Sequence, residues 1–362
     1  MAKKSRANKK KRSAEAPAAA PAYNWLFLGG AAAVLLAVVG GLLWYLMRPA
    51  SPATADNAQT ASSSASPQTE TESLAEETPR QWPAGPANRC FAGPRFPQTL
   101  GFAAGQAYIG VSPGQYVGLF LADASGSGRN YQDPSWDDAG NMGAFVYDGN
   151  GNVYLAPAPF MNLSVDRLDN QTKLYRIDTD SAQMTMLLEL TAAAPPSPTN
   201  PYGLIGLFYD CDTNSLYVSS VAGSTGHDER GRLFQVDLQT NEVVSTVTDL
   251  DALGVGVYNG AGGKRLYYGS GRTTGIYSIA LDNSGHFKGS PRLEFYLAAQ
   301  AGGRNDKGAR ITFNPEGQMV VKGLDFPYTL SVERPVIYRD YSFRYAADGD
   351  AWELVNIEQR TK

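Results

Sequence analysis

The sequence predicts an all-β fold, a β-propeller of five or six four-stranded blades, preceded by one transmembrane helix and a disordered linker. Three observations predict it. A hairpin phrase of strand, Asn/Asp/Gly turn and strand recurs through residues 86–362, each copy followed by further strand-like runs, and residues 23–47 form an uncharged apolar stretch behind a cluster of Lys and Arg.

Composition sets the bounds. A chain of 362 residues at 43% apolar and 18% charged has material for a sizeable core, which excludes disorder throughout. Its formal charge of -4 joins two opposed regions: Lys3, Lys4, Arg6, Lys9, Lys10, Lys11 and Arg12 give +7 before the first acid, Glu15. From Arg48 onward, 24 basic against 34 acidic residues leave -10. A nucleic-acid binder needs clustered cations to displace counterions from phosphate, so the large region is not read as one. Two cysteines and two histidines are too few for a zinc site made of Cys and His in one motif.

Residues 1–22 are read as a basic cytoplasmic tail and 23–47 as the membrane helix. The 25 residues Tyr23 to Met47 exceed the roughly 20 needed to cross a hydrocarbon core. Tyr23 and Trp25 at one end, and Trp44 and Tyr45 at the other, stand where amphipathic rings prefer the headgroup interfaces. The basic residues precede the segment and only Arg48 follows closely, which holds the amino terminus in the cytoplasm. The expected location is the cytoplasmic membrane, with membrane lipid as a partner and the carboxy-terminal domain periplasmic or extracellular. The competing reading is a signal peptide cleaved after Ala55, since Ala53-Thr54-Ala55 has the small-x-small form. A signal core usually has about 7–15 apolar residues, and this one is longer.

Residues 48–85 are Ala, Ser, Thr, Pro and Glu with almost no large apolar side chain. Such a stretch cannot bury enough surface to offset its ordering entropy and is read as a disordered tether. From 86 to 362 the chain turns Gly-, Tyr- and Val-rich. Ala144 to Leu155, Leu207 to Val218, Gly256 to Tyr268 and Arg310 to Val321 each read as a hairpin, with a weaker copy from Leu100 to Val111. Third strands are expected at Lys173–Asp178, Arg232–Asp237 and Gly275–Ala280, and fourth strands at Met184–Leu188, Val243–Val247 and Leu293–Leu297. The equivalent points Tyr108, Tyr154, Tyr217, Tyr267 and Val320 are 46, 63, 50 and 53 residues apart. Four antiparallel strands at that period are the signature of propeller blades.

The stretches 308–321 (GARITFNPEGQMVV), 231–243 (GRLFQVDLQTNEV) and 275–287 (GIYSIALDNSGHF) resemble blades of gluconolactonase-like and NHL- or YncE-like propellers. The resemblance implies the fold. In gluconolactonase-like enzymes a Glu, two Asn and an Asp hold a divalent cation over the channel, and oxygen ligands of this kind suit calcium. Here the expected first inner strand, Thr99-Leu100-Gly101-Phe102, has no Glu, and Leu253-Gly254-Val255-Gly256 lacks the Asn; Asp306 falls near the family's Asp.

In a propeller, the loops entering the inner strands and those between second and third strands gather on one face of the channel. They offer Asp137, Asp138, Asn141, Asn200, Tyr202, Asp251, Arg304, Asn305, Asp306 and Arg310, then His227, Asp228, Arg230 and Arg272. This set is expected to bind a small polar ligand or an extracytoplasmic protein, without a cofactor. The alternative is a metal-dependent hydrolase or lactonase in which Asp306, Asn305 and Asp251 hold calcium or another divalent cation. Asp148, Asn150 and Asn152, like Asp210, Asp212 and Asn214, alternate oxygens as a calcium loop does but lack its downstream Glu, and are read as turns. No nucleophile-elbow Ser is present. Cys90 and Cys211, on the oxidising side of the expected topology, are a candidate disulfide.

Overall fold

The computed structural model describes residues 82–111, 117–160, 168–300, 304–330 and 337–361. The tail, the segment 23–47 and the linker through residue 81 lie outside them, and among the described residues no helix is long and apolar enough to cross a membrane. The compact unit that carries the strands spans Glu76–Lys362.

It begins with a two-residue strand, β1 (Gly85–Pro86), followed by five antiparallel sheets in which chain neighbours are sheet neighbours. Blade 1 holds β2 (Ala107–Gly110), β3 (Phe120–Asp123) and β4 (Asn130–Tyr131). Blade 2 holds β5 (Met142–Tyr147), β6 (Val153–Pro157), β7 (Lys173–Ile177) and β8 (Met184–Glu189). Blade 3 holds β9 (Leu204–Asp210), β10 (Ser215–Ser220), β11 (Arg232–Asp237) and β12 (Glu242–Thr248). Blade 4 holds β13 (Ala252–Gly260), β14 (Gly263–Ser270), β15 (Gly275–Leu281) and β16 (Phe287–Tyr296). Blade 5 holds β17 (Lys307–Phe313), β18 (Met319–Leu324), β19 (Ile337–Ala346) and β20 (Ala351–Thr361). The arrangement is a five-bladed β-propeller, which settles the expected five or six at five.

Period-2 alternation explains why the blades stack. In β6, Val153 and Leu155 enter the core shared with blade 1, whereas Tyr154 and Ala156 enter the core shared with blade 3. Likewise Leu216 and Val218 of β10 face blade 2 while Tyr217 faces blade 4, and Tyr268 of β14 faces blade 3 while Tyr267 faces blade 5. Both faces of these strands are therefore apolar, as burial on two sides requires. Blade 5 differs. In β18, Met319 and Val321 are buried against blade 4, but Val320 and Lys322, on the opposite face, are only half-buried.

Blade 1 corrects two expectations. It has three strands among the described residues rather than four, and Thr99-Leu100-Gly101-Phe102 is not an inner strand. Phe96–Thr99 is a helical turn with Pro97 at its start, and Gly101 takes a φ of +82°. The Leu100 and Gly101 carbonyls accept hydrogen bonds from the Arg129 guanidinium at 2.7 and 2.6 Å, so a strand ladder does not use them. Phe96 is fully buried against Trp136, ring centroids 5.7 Å apart.

The linker boundary also shifts. Residues 82–96, the first four of which were read as linker, form a strap across the hairpin ends of several blades. Gly85 and Pro86 pair with Asn259 and Tyr258 of β13, the Ala87 amide donates to the Val257 carbonyl, and Pro86 packs near Gly317 of blade 5. Further along, the Cys211 amide donates to the Ala87 carbonyl, the Ala92 amide to the Asp148 carbonyl, and the Arg95 guanidinium pairs with Asp180. Cys90 and Cys211 form a disulfide with Cα atoms 5.9 Å apart. Beneath the strap the Lys264 ammonium lies between Asp210 (2.7 Å) and Asp212 (2.9 Å), all three side chains at most 4% exposed. The acidic hairpin turn thus has its counterion inside the protein. The strap runs along the side of the propeller where the inner strands finish.

Candidate functional site

The open end of the channel is where the inner strands begin, and there a pocket of about 470 Å³ lies between blades 3, 4 and 5. Its lining includes Thr199, Thr225, Arg272, Lys307, Phe326 and Tyr328. Phe326 and Tyr328 come from the β18–β19 loop, their rings 5.4 Å apart and edge-on, with Tyr202 packed 5.1 Å from Phe326 on the other side. Arg272 sits 5.8 Å from the Tyr328 ring centroid and donates to the Thr225 carbonyl.

Asp251 holds this mouth together. The buried carboxylate accepts from the Ser224 hydroxyl, the Gly231 amide (2.9 Å) and the Tyr328 hydroxyl (2.5 Å), with Arg272 3.8 Å away. Its own amide donates to Glu229 at 2.8 Å. Burial, reinforced by the adjacent carboxylate, pushes the Tyr328 hydroxyl pKa upward, so it remains a donor. Lys307, the first residue of β17, donates to Asn305 Oδ1 at 2.7 Å, and Asn305 in turn donates to Asp325 at 2.9 Å. Burial lowers the Lys307 pKa from the ordinary lysine value, and Asp325 opposes that shift.

The other sequence candidates separate by role. Asn200 is buried and donates to the Val221 and Ser224 carbonyls, both at 2.8 Å, so it fixes loop shape. Asn141 is buried at the start of blade 2, and Asp137 and Asp138 are exposed on the loop entering β5. His227 is exposed, and Asp228 pairs with Arg230 at 2.5 Å on the rim, both about half exposed, a geometry worth little in water. Arg304 is exposed at the rim.

Asp306, Asn305 and Asp251 are not brought together as a ligand set. Asp306 is buried and accepts from Arg339 (3.0 Å) and Tyr341 (2.7 Å), while Asn305 and Asp251 belong to the separate networks just described. Among the described residues no three His, Cys, Asp or Glu side chains stand together as a metal-holding group. The sequence reading missed Lys307, Phe326 and Tyr328. The loops between second and third strands offered candidates in blades 3 and 4, and the corresponding loop of blade 5 holds Asp325-Phe326-Pro327-Tyr328.

Below the mouth, the channel wall is built by β5, β9, β13 and β17 around a cavity of about 140 Å³. Glycines let these strands approach: a Cβ at Gly206 would collide with the Leu253 carbonyl, and one at Gly254 with the Arg310 backbone. Arg310 is the one charged residue of that lining. Three residues beyond Lys307 on the same strand, it lies about 10 Å deeper. Its side chain is exposed, so water reaches the guanidinium.

Fold and mouth together define a five-bladed propeller protein with a pocketed, cation-bearing open face. No known protein family and no curated protein matches the sequence. Several solved structures are similar in fold. A protein of unknown function from Bacteroides caccae shares 10% identity at a TM-score of 0.38, over 70% of this chain and 73% of that one. An exo-beta-1,3-galactanase from Phanerochaete chrysosporium, solved with galactose, shares 8% at 0.42, over 70% and 61%. The Dos1 propeller shares 13% at 0.33, over 67% and 56%. The chain thus spans less than two thirds of the last two, and likeness at this level transfers no activity.

Proposed function

We propose that this protein is a membrane-anchored, extracytoplasmic binding module whose open propeller face takes a small anionic, ring-bearing ligand. The observation that carries the reading is the 470 Å³ mouth pocket, which combines two aromatic rings with the Arg272 and Lys307 cations. A concave site with an apolar body and a few placed polar groups is the usual form of a small-molecule site. The uncharged 23–47 stretch behind a basic tail supports the anchor, and the composition of 48–81 supports a tether. The hydrolase alternative draws no support from Asp306 and Asp251, whose carboxylates are engaged in separate internal networks.

The test uses the full chain in detergent, titrated with glucuronate and with glucose by calorimetry. Glucuronate is expected to bind more tightly than glucose, and Arg272→Gln and Lys307→Gln each to weaken it about tenfold, in line with a charge-assisted hydrogen bond. Affinity should fall as pH rises through the lowered Lys307 pKa, below the ordinary 10.5, because the ammonium loses its charge there; Lys307→Arg should keep binding at that pH. Equal binding of both sugars, or no binding at millimolar concentration, overturns the reading. Alkaline carbonate extraction tests the anchor: release of the full chain into the supernatant refutes it.

A further inference from the structure

We infer that Lys307 is the nucleophile of a covalent carbonyl site in the mouth, where it condenses with an oxo acid to form an imine. This rests on the reading of the mouth as a small-molecule pocket and names the ligand class of that same site. Among the described residues three cations are buried: Lys264, Lys307 and Arg339, each 6% exposed. Lys264 lies between Asp210 and Asp212, and Arg339 pairs with Asp306 at 3.0 Å. Lys307 joins no ion pair among the described residues, and its side chain donates there only to the neutral amide oxygen of Asn305, at 2.7 Å. Burying an ammonium without a counterion is costly, and an amine escapes that cost by giving up its proton. Where the fold sets an acid beside each of the other two buried cations, at Lys307 it sets a pocket.

The groups around Lys307 fit that chemistry. Asp325, in the β18–β19 loop, accepts from the Asn305 amide at 2.9 Å, and its charge opposes the lowering of the Lys307 pKa by burial without cancelling it. Asp251 and Asp306 are turned into their own networks, and Arg304 is exposed at the rim. Arg272, in the β14–β15 loop, lines the same pocket; it gives one donor to the Thr225 carbonyl and keeps others for a carboxylate. Phe326 and Tyr328 supply the apolar wall, with the Tyr328 hydroxyl committed to Asp251. A lysine withdrawn from water in an apolar pocket that also holds a cation is the usual form of an activated amine nucleophile. The ligand that answers all three features carries a carboxylate for Arg272, an electrophilic carbonyl for Lys307 and an apolar body for the rings.

The step balances without an oxidant or reductant. The Lys307 ammonium first yields one proton to water. The amine lone pair then forms a C–N bond to the carbonyl carbon, the C–O bond breaks, and the oxygen leaves with the two amine protons as water. The imine nitrogen takes a proton from solvent, and the iminium restores a positive charge at the end of the lysine side chain. Water reverses the sequence, so the site binds covalently and reversibly.

The experiment uses the full chain in detergent with phenylpyruvate, which has the ring, the carboxylate and the carbonyl, and with phenyllactate, which has an alcohol in place of the carbonyl. Cyanoborohydride, added as an external reductant, fixes any imine as a secondary amine, and mass spectrometry of the digested protein reads it. One adduct, of the ligand's mass less one oxygen, is expected on the peptide that carries Lys307, while phenyllactate binds and leaves none. Lys307→Arg keeps the cation and should bind phenyllactate as the parent does, with the adduct lost. Arg272→Gln should need about tenfold more phenylpyruvate for half-maximal adduct, since it loses the carboxylate contact. Adduct formation should rise with pH as the Lys307 ammonium gives up its proton, over the range in which phenyllactate affinity falls. Phenyllactate binding with no adduct, an adduct spread over exposed lysines, or an adduct undiminished in Lys307→Arg overturns the imine and spares the mouth reading. Failure of both ligands to bind or react overturns the two together.

Discussion

Removing the ammonium of Lys264 is the sharpest test of how the strap side is held. Its Nζ lies 2.7 Å from Asp210 and 2.9 Å from Asp212, with the Asp210 side chain fully buried. At an effective dielectric of about 20, one such pair attracts by roughly 6 kcal/mol, and lost hydration of the ions cancels most of that. Deleting only the cation leaves the cost without the compensation. Asp212 keeps Arg89 at 2.5 Å and Asn259 at 2.8 Å, so Asp210 is the carboxylate left without a cation, holding only the Asp212 amide at 2.9 Å and the Thr213 hydroxyl at 3.0 Å. Lys264→Met is therefore expected to lose about 3–5 kcal/mol at neutral pH. With a urea slope of roughly 4 kcal/mol/M for a unit of this size, the midpoint should fall by about 1 M.

The pH dependence gives that prediction a sign. Burial already raises the Asp210 pKa above the ordinary carboxylate value, with Lys264 as the largest opposing influence. In Lys264→Met the folded state holds the proton at pH values where the unfolded chain has released it, so stability falls as pH rises above about 4. The deficit against the parent should be small near pH 4 and full at pH 7. Lys264→Met combined with Asp210→Asn should recover at least half of it. Circular dichroism during urea unfolding of the full chain in detergent reads all three proteins. A loss below about 1 kcal/mol at pH 7, or one independent of pH, would refute the reasoning.

Two further predictions concern the strap and the channel wall. Cys90 and Cys211 are separated by 121 residues, and closing a loop of that length is worth up to about 5 kcal/mol in the chain-entropy account. The Cys90→Ser, Cys211→Ser pair should unfold at lower urea and be insensitive to reductant, whereas the parent should fall to the same midpoint once reduced; an unchanged parent midpoint with two titratable thiols would contradict it. Gly254→Ala should lose roughly 1–3 kcal/mol or more, because the new methyl meets the Arg310 backbone, while Gly93→Ala, with no atom within 4 Å, should stay within about 0.5 kcal/mol. Equal urea midpoints for the two would remove the case for glycine-dependent strand approach.

Much of the propeller was legible because its blades repeat a local code. Alternating apolar runs with Asp, Asn and Gly turns placed β6, β10, β14 and β18 within a residue or two, and the third strands at Lys173, Arg232 and Gly275 begin where expected. Those signals depend on residues a few positions apart. Blade 1 was misread because Leu100-Gly101-Phe102 looks like a strand locally, and only Arg129, 28 residues beyond Gly101, claims its carbonyls. Lys307 escaped for a related reason: its significance comes from burial beside Phe326 and Tyr328, which no spacing along the chain announces.

By itself the sequence determined the blade repeat, the turn chemistry, the charge division at Arg48 and the set of polar loop residues, all properties of neighbouring positions. The tertiary structure decided which of those residues have their charges satisfied. Asp251, Asp306 and Asn200 are engaged internally, and Lys264 neutralises an acidic turn more than 50 residues away. Pairing of charges is a matter of distance in space and of exclusion from water, and only the folded chain sets either.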